Sequence, residues 1–342
     1  MKALRLEPPG HLAIVEMEPP PVRENQVLIR TGACVICTSD LKDMADNPFQ
    51  LPLPVVLGHE ASGTVVAIGP QARRVQVGDR VAAHPVHPCG QCVCCREGLG
   101  HLCRNLEHLG LNMQGAFAEY FVAREDRVRI VPRSCDWPVA ALLEPVCVCL
   151  EALNQARLLP GQRLAILGDG PFGVIMARLA RLRGLAKVVV AGHHDFRLNT
   201  AKADATLNTA RSQNAVEDMR RLADDQGYDA AIATVGSAPV VKLGLDLLKP
   251  KGRLVLFAPI PGETPVDLAK VVLNELEILG ANNDRDLIDE AASLLGQPGL
   301  DWHELVTHRF PLDQFAEAFT TARSGKAQAL KVAIVFNPEP NV

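Results

Sequence analysis

A chain of 342 residues, 48% hydrophobic, can bury two cores of ordinary size or one large one. Its formal charge of −4 argues against a nucleic-acid partner, which would want a basic face. No apolar run reaches the roughly eighteen residues needed to span a bilayer. The start "MKALRLEPPGHLAIVEMEPP" places acids and prolines where a secretory signal would be apolar. The expected setting is therefore the cytoplasm, where thiols stay reduced and clustered cysteines favour metal over disulfides.

Residues 1–146 read as short strands punctuated by Pro and Gly. "QVLIRTGACV" and "ASGTVVAIG" are β-branched-rich runs bounded by turns, and "VQVGDRVAAHP" has the pattern of a hairpin turning at Gly78-Asp79. Next comes "PCGQCVCCREGLGHLC", which holds five of the ten cysteines. The spacing Cys89-x2-Cys92-x2-Cys95-x7-Cys103 suits a tetrahedral zinc. Four thiolates fill its sphere and leave no open position, so the site is structural. Cys94 breaks the rhythm and reads as a bystander. An iron–sulfur cluster and a chance group of free thiols are the alternatives.

Near residue 146 the texture changes. "RLAILG", "KVVVAG", "DAAIATVG" and "RLVLFAP" are short apolar strands alternating with helical stretches, as in a parallel sheet covered on both faces. Ile175, Leu179 and Leu182 mark one face of a helix over 173–184. After about residue 284, "DLIDEAASLL" places Leu287, Ala291, Leu294 and Leu295 on one face, and a last strand "LKVAIVF" follows. The expected division is 1–146, 147–283 and a C-terminal segment 284–342.

Between the first of these strands and its helix stands Gly168-x-Gly170-Pro171-Phe172-Gly173. The first glycine permits a tight turn and the second lets a pyrophosphate approach. The third lets helix and strand pack closely, and the helix start presents free N–H groups. An NAD-preferring site places an acid at the end of the second strand. Here that position is Gly192, followed by His193, His194 and Arg197, with Asp195 the one acid nearby. A missing carboxylate removes repulsion against a 2′-phosphate, which favours NADP over NAD. The alternative is that Asp195 caps the next helix and selectivity is set elsewhere.

Two further stretches carry reactive groups: Cys37-x-Ser39-Asp40, and Gly58-His59-Glu60 in "GHEASGTVVAIG". Cys37 and His59 are good zinc ligands too distant in sequence for one local knot, so the fold must assemble them. With "GHEASGTVVAIGPQA", the cysteine lobe, the glycine loop and "LLEPV" in this order, the chain resembles the zinc-dependent medium-chain dehydrogenase/reductase family, on its polyol and threonine dehydrogenase side. The resemblance covers essentially the whole chain. It implies a mostly-β GroES-like catalytic domain, a Rossmann domain with a doubly wound parallel sheet, and a C-terminal return to the first domain.

The resemblance also implies two zinc ions per subunit and a homodimer or homotetramer. By it, Cys37, His59 and Glu144 bind the catalytic zinc, and Glu60 enters or leaves its shell. Cys147 is the rival third ligand on soft-ligand chemistry; Cys147, Cys149, Cys34 and Cys135 otherwise read as small buried apolar groups. One carboxylate with the Cys37 thiolate leaves the site neutral, and a second would make it anionic. Ser39 is placed to move the substrate proton, and Asp40 to hold the His59 ring. Thr38 stands where many relatives have Gly, and Lys42 where many have His. The implied activity is hydride transfer between NAD(P) and an alcohol, polyol or sugar-derived secondary hydroxyl. The alternative is a catalytically silent cofactor-binding or regulatory protein on the same scaffold.

Overall fold

The computed structural model describes residues 1–48, 50–324 and 328–336. The chain divides into one compact unit of Met1–Cys147 with Arg285–Val342, and a second of Val148–Asp284.

Strands are the commonest regular elements of the first unit. In chain order these are β1 (Lys2–Leu6), β2 (Leu12–Glu16), β3 (Gln26–Val35), β4 (Val55–Val56), β5 (Glu60–Ile68), β6 (Arg80–Ala83), β7 (Val86–His87), β8 (Glu107–His108), β9 (Tyr120–Arg124) and β10 (Val128–Ile130). The long β3 is the spine. It pairs antiparallel with β5 along one edge, and along the other edge with β9 and then with β18 (Lys331–Val335), which lies beside β17 (Val306–Pro311). Leu4, Leu57, Phe117, Phe121 and Ile334 are fully buried in the core against this sheet. The turn at Gly78 forms, with φ +97°. The strand after it pairs with β5, however, not with residues 75–77, because β5 offers the continuous apolar partner.

The second unit holds β11 (Arg163–Leu167), β12 (Lys187–Gly192), β13 (Ala205–Asn208), β14 (Tyr228–Ala233), β15 (Leu248–Leu256) and β16 (Glu277–Gly280). They form one parallel sheet in the order β13-β12-β11-β14-β15-β16. The order reverses between β11 and β14, and ligands bind outside the carboxyl ends of strands at such a switch point. The helix Pro171–Arg181 buries Ile175 and Leu179, whereas Leu182 lies past its end and is half exposed. The helix Ile288–Leu295 buries Ile288, Ala291 and Leu295, so its inward face is turned slightly from the expected one.

The stretch Trp137–Gln155 corrects the count of apolar runs: by length and composition it could cross a bilayer. It is 94% buried within the protein, as a core helix would be.

Candidate active site

The reactive groups gather at the end of β3. Val35, its last residue, is flanked by Glu60 on β5 and by Ala333 on β18. The chain then turns through Cys37 into the helix Thr38–Asp46. Cys37 is the N-cap, and Asp40 closes the cap by accepting the Cys37 N–H at 2.8 Å through Oδ2. The other Asp40 oxygen lies 3.5 Å from His59 Nδ1, both side chains being buried. Asp40 thus closes the helix cap and also faces the His59 ring. Gly58 lets His59 reach this place. Its φ is +93°, and a Cβ there would come within 2.8 Å of Cys34 Sγ and the Phe117 ring.

One ligand atom each from Cys37, His59 and Glu60 lies within 4.8 Å of the others, and all three residues are buried. Burial alone would lower the His59 pKa, but the Asp40 and Cys37 charges hold it well above the ordinary imidazole value. Glu144 stands outside this trio, near the start of the helix Leu143–Gln155. Burial, and then the Glu60 charge, push its pKa up to about 7. Its Oε2 is buried and has no hydrogen-bond partner among the described residues. A thiolate, an imidazole and carboxylates, buried together with an unsatisfied oxygen, fit a divalent zinc ion. Ser39 is partly buried and Lys42 exposed on the same helix.

Lys331 joins this site without having been singled out from the sequence. Its Nζ donates to both Glu60 oxygens, at 2.5 and 2.6 Å, with both side chains essentially inaccessible. Burial would lower its pKa, but the Glu60 and Cys37 charges keep it raised. The available signal was a lysine opening the otherwise apolar strand "KVAIV". His108 is a second such residue. Its ring packs edge-on against His59 at 5.6 Å, and burial holds its pKa down to about 3, so it stays neutral.

The cysteine lobe closes on itself. Sulfur separations are 3.5 Å for Cys92–Cys95, 3.7 Å for Cys92–Cys103 and 3.9 Å for Cys89–Cys95. A tetrahedral zinc with metal–sulfur bonds of about 2.3 Å has edges of about 3.8 Å, so these four sulfurs fit it. Backbone N–H groups bring the Cys92 pKa down to about 6, whereas burial pushes Cys95 up to about 12. Cys94 stands outside the cluster, and Cys34, Cys135, Cys147 and Cys149 are buried.

In the second unit the loop glycines meet distinct constraints. Gly168 has φ +133°, and a Cβ there would fall 2.2 Å from Thr234 Oγ1. Gly170 faces open space, and a Cβ on Gly173 would fall 2.0 Å from the Gly168 carbonyl. Pro171 starts the helix, and the Phe172 ring packs on Phe257 at 5.1 Å. The loop can therefore hold a dinucleotide pyrophosphate. The end of β12 needs a correction. The place left by Gly192 is not free of carboxylate, because Asp169 reaches it from the glycine loop: a Gly192 Cβ would lie 2.4 Å from Asp169 Cγ. Nor does Asp195 cap the helix Asp195–Thr200. His194 is the N-cap, and Asp195 is held by Asn208 and Arg211 at 2.6 Å each. His193 and His194 are exposed, and Arg197 is partly buried in the first turns of that helix.

Residues 23–133 match the family model for an alcohol dehydrogenase GroES-like domain, and residues 171–295 match that for a zinc-binding dehydrogenase. The chain is 30% identical to a sorbitol dehydrogenase of Bacillus subtilis (strain 168), over 98% of both proteins. A zinc-binding dehydrogenase from Sinorhizobium meliloti 1021, solved bound to NADP, superposes with a TM-score of 0.92 at 28% identity, over 98% of both chains. An alcohol dehydrogenase from Escherichia coli CFT073, complexed with NADH, gives a TM-score of 0.91 at 25% identity, over 98% of this chain and 99% of that one.

Proposed function

The chain belongs to the zinc-dependent medium-chain dehydrogenase family, and on that premise we propose that it is a zinc-dependent oxidoreductase moving hydride between a nicotinamide dinucleotide and a secondary hydroxyl of an alcohol, polyol or sugar derivative. The ketone is the substrate in the reverse direction. The observation that carries this reading is the buried convergence of Cys37, His59 and Glu60 beside Glu144 and its unsatisfied oxygen.

When bound, zinc supplies the electrophile that lowers the substrate hydroxyl's pKa, and the nicotinamide supplies the hydride acceptor. Cys37, His59 and Glu144 hold the metal, with Glu60 as the alternate. Charge supports that division. Lys331 neutralises Glu60 through both oxygens, so the thiolate and Glu144 alone balance the divalent ion. Asp40 Oδ1 faces His59 Nδ1 at 3.5 Å, which favours Nε2 as the coordinating nitrogen. Ser39 takes the substrate proton and passes it outward, and returns it in the reverse reaction. Cys89, Cys92, Cys95 and Cys103 hold a second, structural zinc.

Gly168, Gly170, Pro171, Phe172 and Gly173 seat the pyrophosphate, and NADP is the preferred cofactor. Exposed His193 and His194 with Arg197 beyond Gly192, and the pairing of Asp195 to Arg211, support that preference. The protein assembles as a homodimer or homotetramer. Leu268, Val272 and Leu273, 68%, 73% and 82% exposed on one short helix, support association.

The test is metal analysis with turnover of a polyol panel. Two zinc ions per chain, and turnover lost in Cys37→Ser, are expected. Two zinc ions and tight cofactor binding with no turnover of any panel compound would favour the catalytically silent reading.

A further inference from the structure

The dinucleotide loop carries an acid that the zinc chemistry does not use. Asp169 sits between Gly168 and Gly170 and is 7% exposed. Its Oδ2 accepts the backbone N–H of His193 at 2.8 Å and of His194 at 2.6 Å, and the His194 ring Nδ1 lies 3.0 Å from the same oxygen. Gly192 is the counterpart of this arrangement. A Cβ on it would stand 2.4 Å from Asp169 Cγ and 2.6 Å from Oδ2. A side chain at 192, including the acid of an NAD-type site, would thus displace Asp169. Three donors on Oδ2 hold the carboxylate in one orientation against the turn.

We infer that Asp169 is a positioning residue for cofactor selectivity, which holds the 192–194 turn and the His194 ring so that the imidazole meets the adenosine 2′-phosphate. The inference rests on the NADP preference proposed above. A ring that donates from Nδ1 to Asp169 has Nε2 directed away from the carboxylate, where the imidazolium form donates to a phosphate, and the His194 side chain is 44% exposed. The adenosine ribose of a dinucleotide lies at the end of the second strand, which is this turn. Neighbouring Asp195 is turned into its own pairs with Asn208 and Arg211 and does not oppose a phosphate. Fixing the turn before binding lowers the ordering cost of the contact.

The experiment is calorimetric binding of two fragments, 2′,5′-ADP and 5′-AMP, to the metal-replete protein and to Asp169→Ala, Asp169→Asn and His194→Ala. The wild type should bind 2′,5′-ADP more tightly than 5′-AMP. His194→Ala and Asp169→Ala should each lower that ratio by about tenfold, the value of one charge-assisted contact, with 5′-AMP affinity falling less than that of 2′,5′-ADP. Asp169→Asn, which keeps an acceptor oxygen, should recover part of the ratio. A ratio unchanged in every variant, in a wild type that does prefer 2′,5′-ADP, overturns this role and leaves the NADP preference standing. A ratio that rises when Asp169 is replaced overturns it too, because the carboxylate would then be repelling the phosphate. A wild type that binds 5′-AMP at least as tightly overturns both. If Asp169→Ala does not fold, the isosteric Asp169→Asn read against His194→Ala decides the matter: a ratio at the wild-type value in Asp169→Asn while His194→Ala lowers it overturns the charged carboxylate's role.

Discussion

Replacing Lys331 with Met should unbalance the first unit more than any other conservative change beside the site. Lys331 and Glu60 are 1% and 0% exposed, and the ammonium contacts both carboxylate oxygens at 2.5 and 2.6 Å. Removing one partner of such a pair strands the other charge in a medium that solvates it poorly, at a cost of about 3–5 kcal/mol. For a unit of about two hundred residues, that corresponds to a fall in Tm of roughly 10 °C. Glu60→Gln should destabilise by a smaller amount, because the stranded ammonium lies near Cys37 and Glu144, which also raise its pKa. The double variant should recover much of the loss, since two neutral groups of similar volume leave no buried charge. Scanning calorimetry on all four proteins, with zinc and after chelation, measures the coupling. A Lys331→Met protein melting within about 2 °C of wild type in both states would refute the argument. So would strictly additive single and double variants.

Cys95→Ser should lower the zinc content by one ion per chain and increase proteolytic cutting within residues 88–103, as read by metal analysis and limited digestion, because structural zinc supplies its lobe's folding energy. Gly168→Ala should abolish dinucleotide binding by calorimetry while the zinc content stays at wild type, since φ +133° and a contact of 2.2 Å to Thr234 leave no place for a methyl group. Burial alone would raise the Asp126 pKa, but the two-pronged Arg124 contact, at 2.7 and 2.9 Å, holds it below 3.8. A depressed folded-state pKa gives stability that is present above the unfolded value and lost as pH falls through the folded one. The stability gap between wild type and Asp126→Asn in urea titrations should therefore be constant from about pH 5 to 7 and close below about pH 4. A gap that widened in acid would contradict the assignment.

Much of this protein is determined locally and is therefore present in its sequence. The spacing Cys89-x2-Cys92-x2-Cys95 forces neighbouring sulfurs together through short turns. Gly168, Gly170 and Gly173 answer to constraints within one strand–loop–helix unit, and the alternating apolar strands 163–256 can be covered only as a parallel sheet. What the sequence left open depends on residues brought together from far apart. Glu60 and Lys331 meet because β5 and β18 both border β3, although 271 positions separate them. Asp169 reaches the end of β12 because β11 and β12 run parallel in register, so that loop and turn emerge side by side. In the linear pattern Gly192 is the absence of an acid. In the folded protein the same glycine makes room for one, and no periodicity or spacing along the chain encodes that exchange.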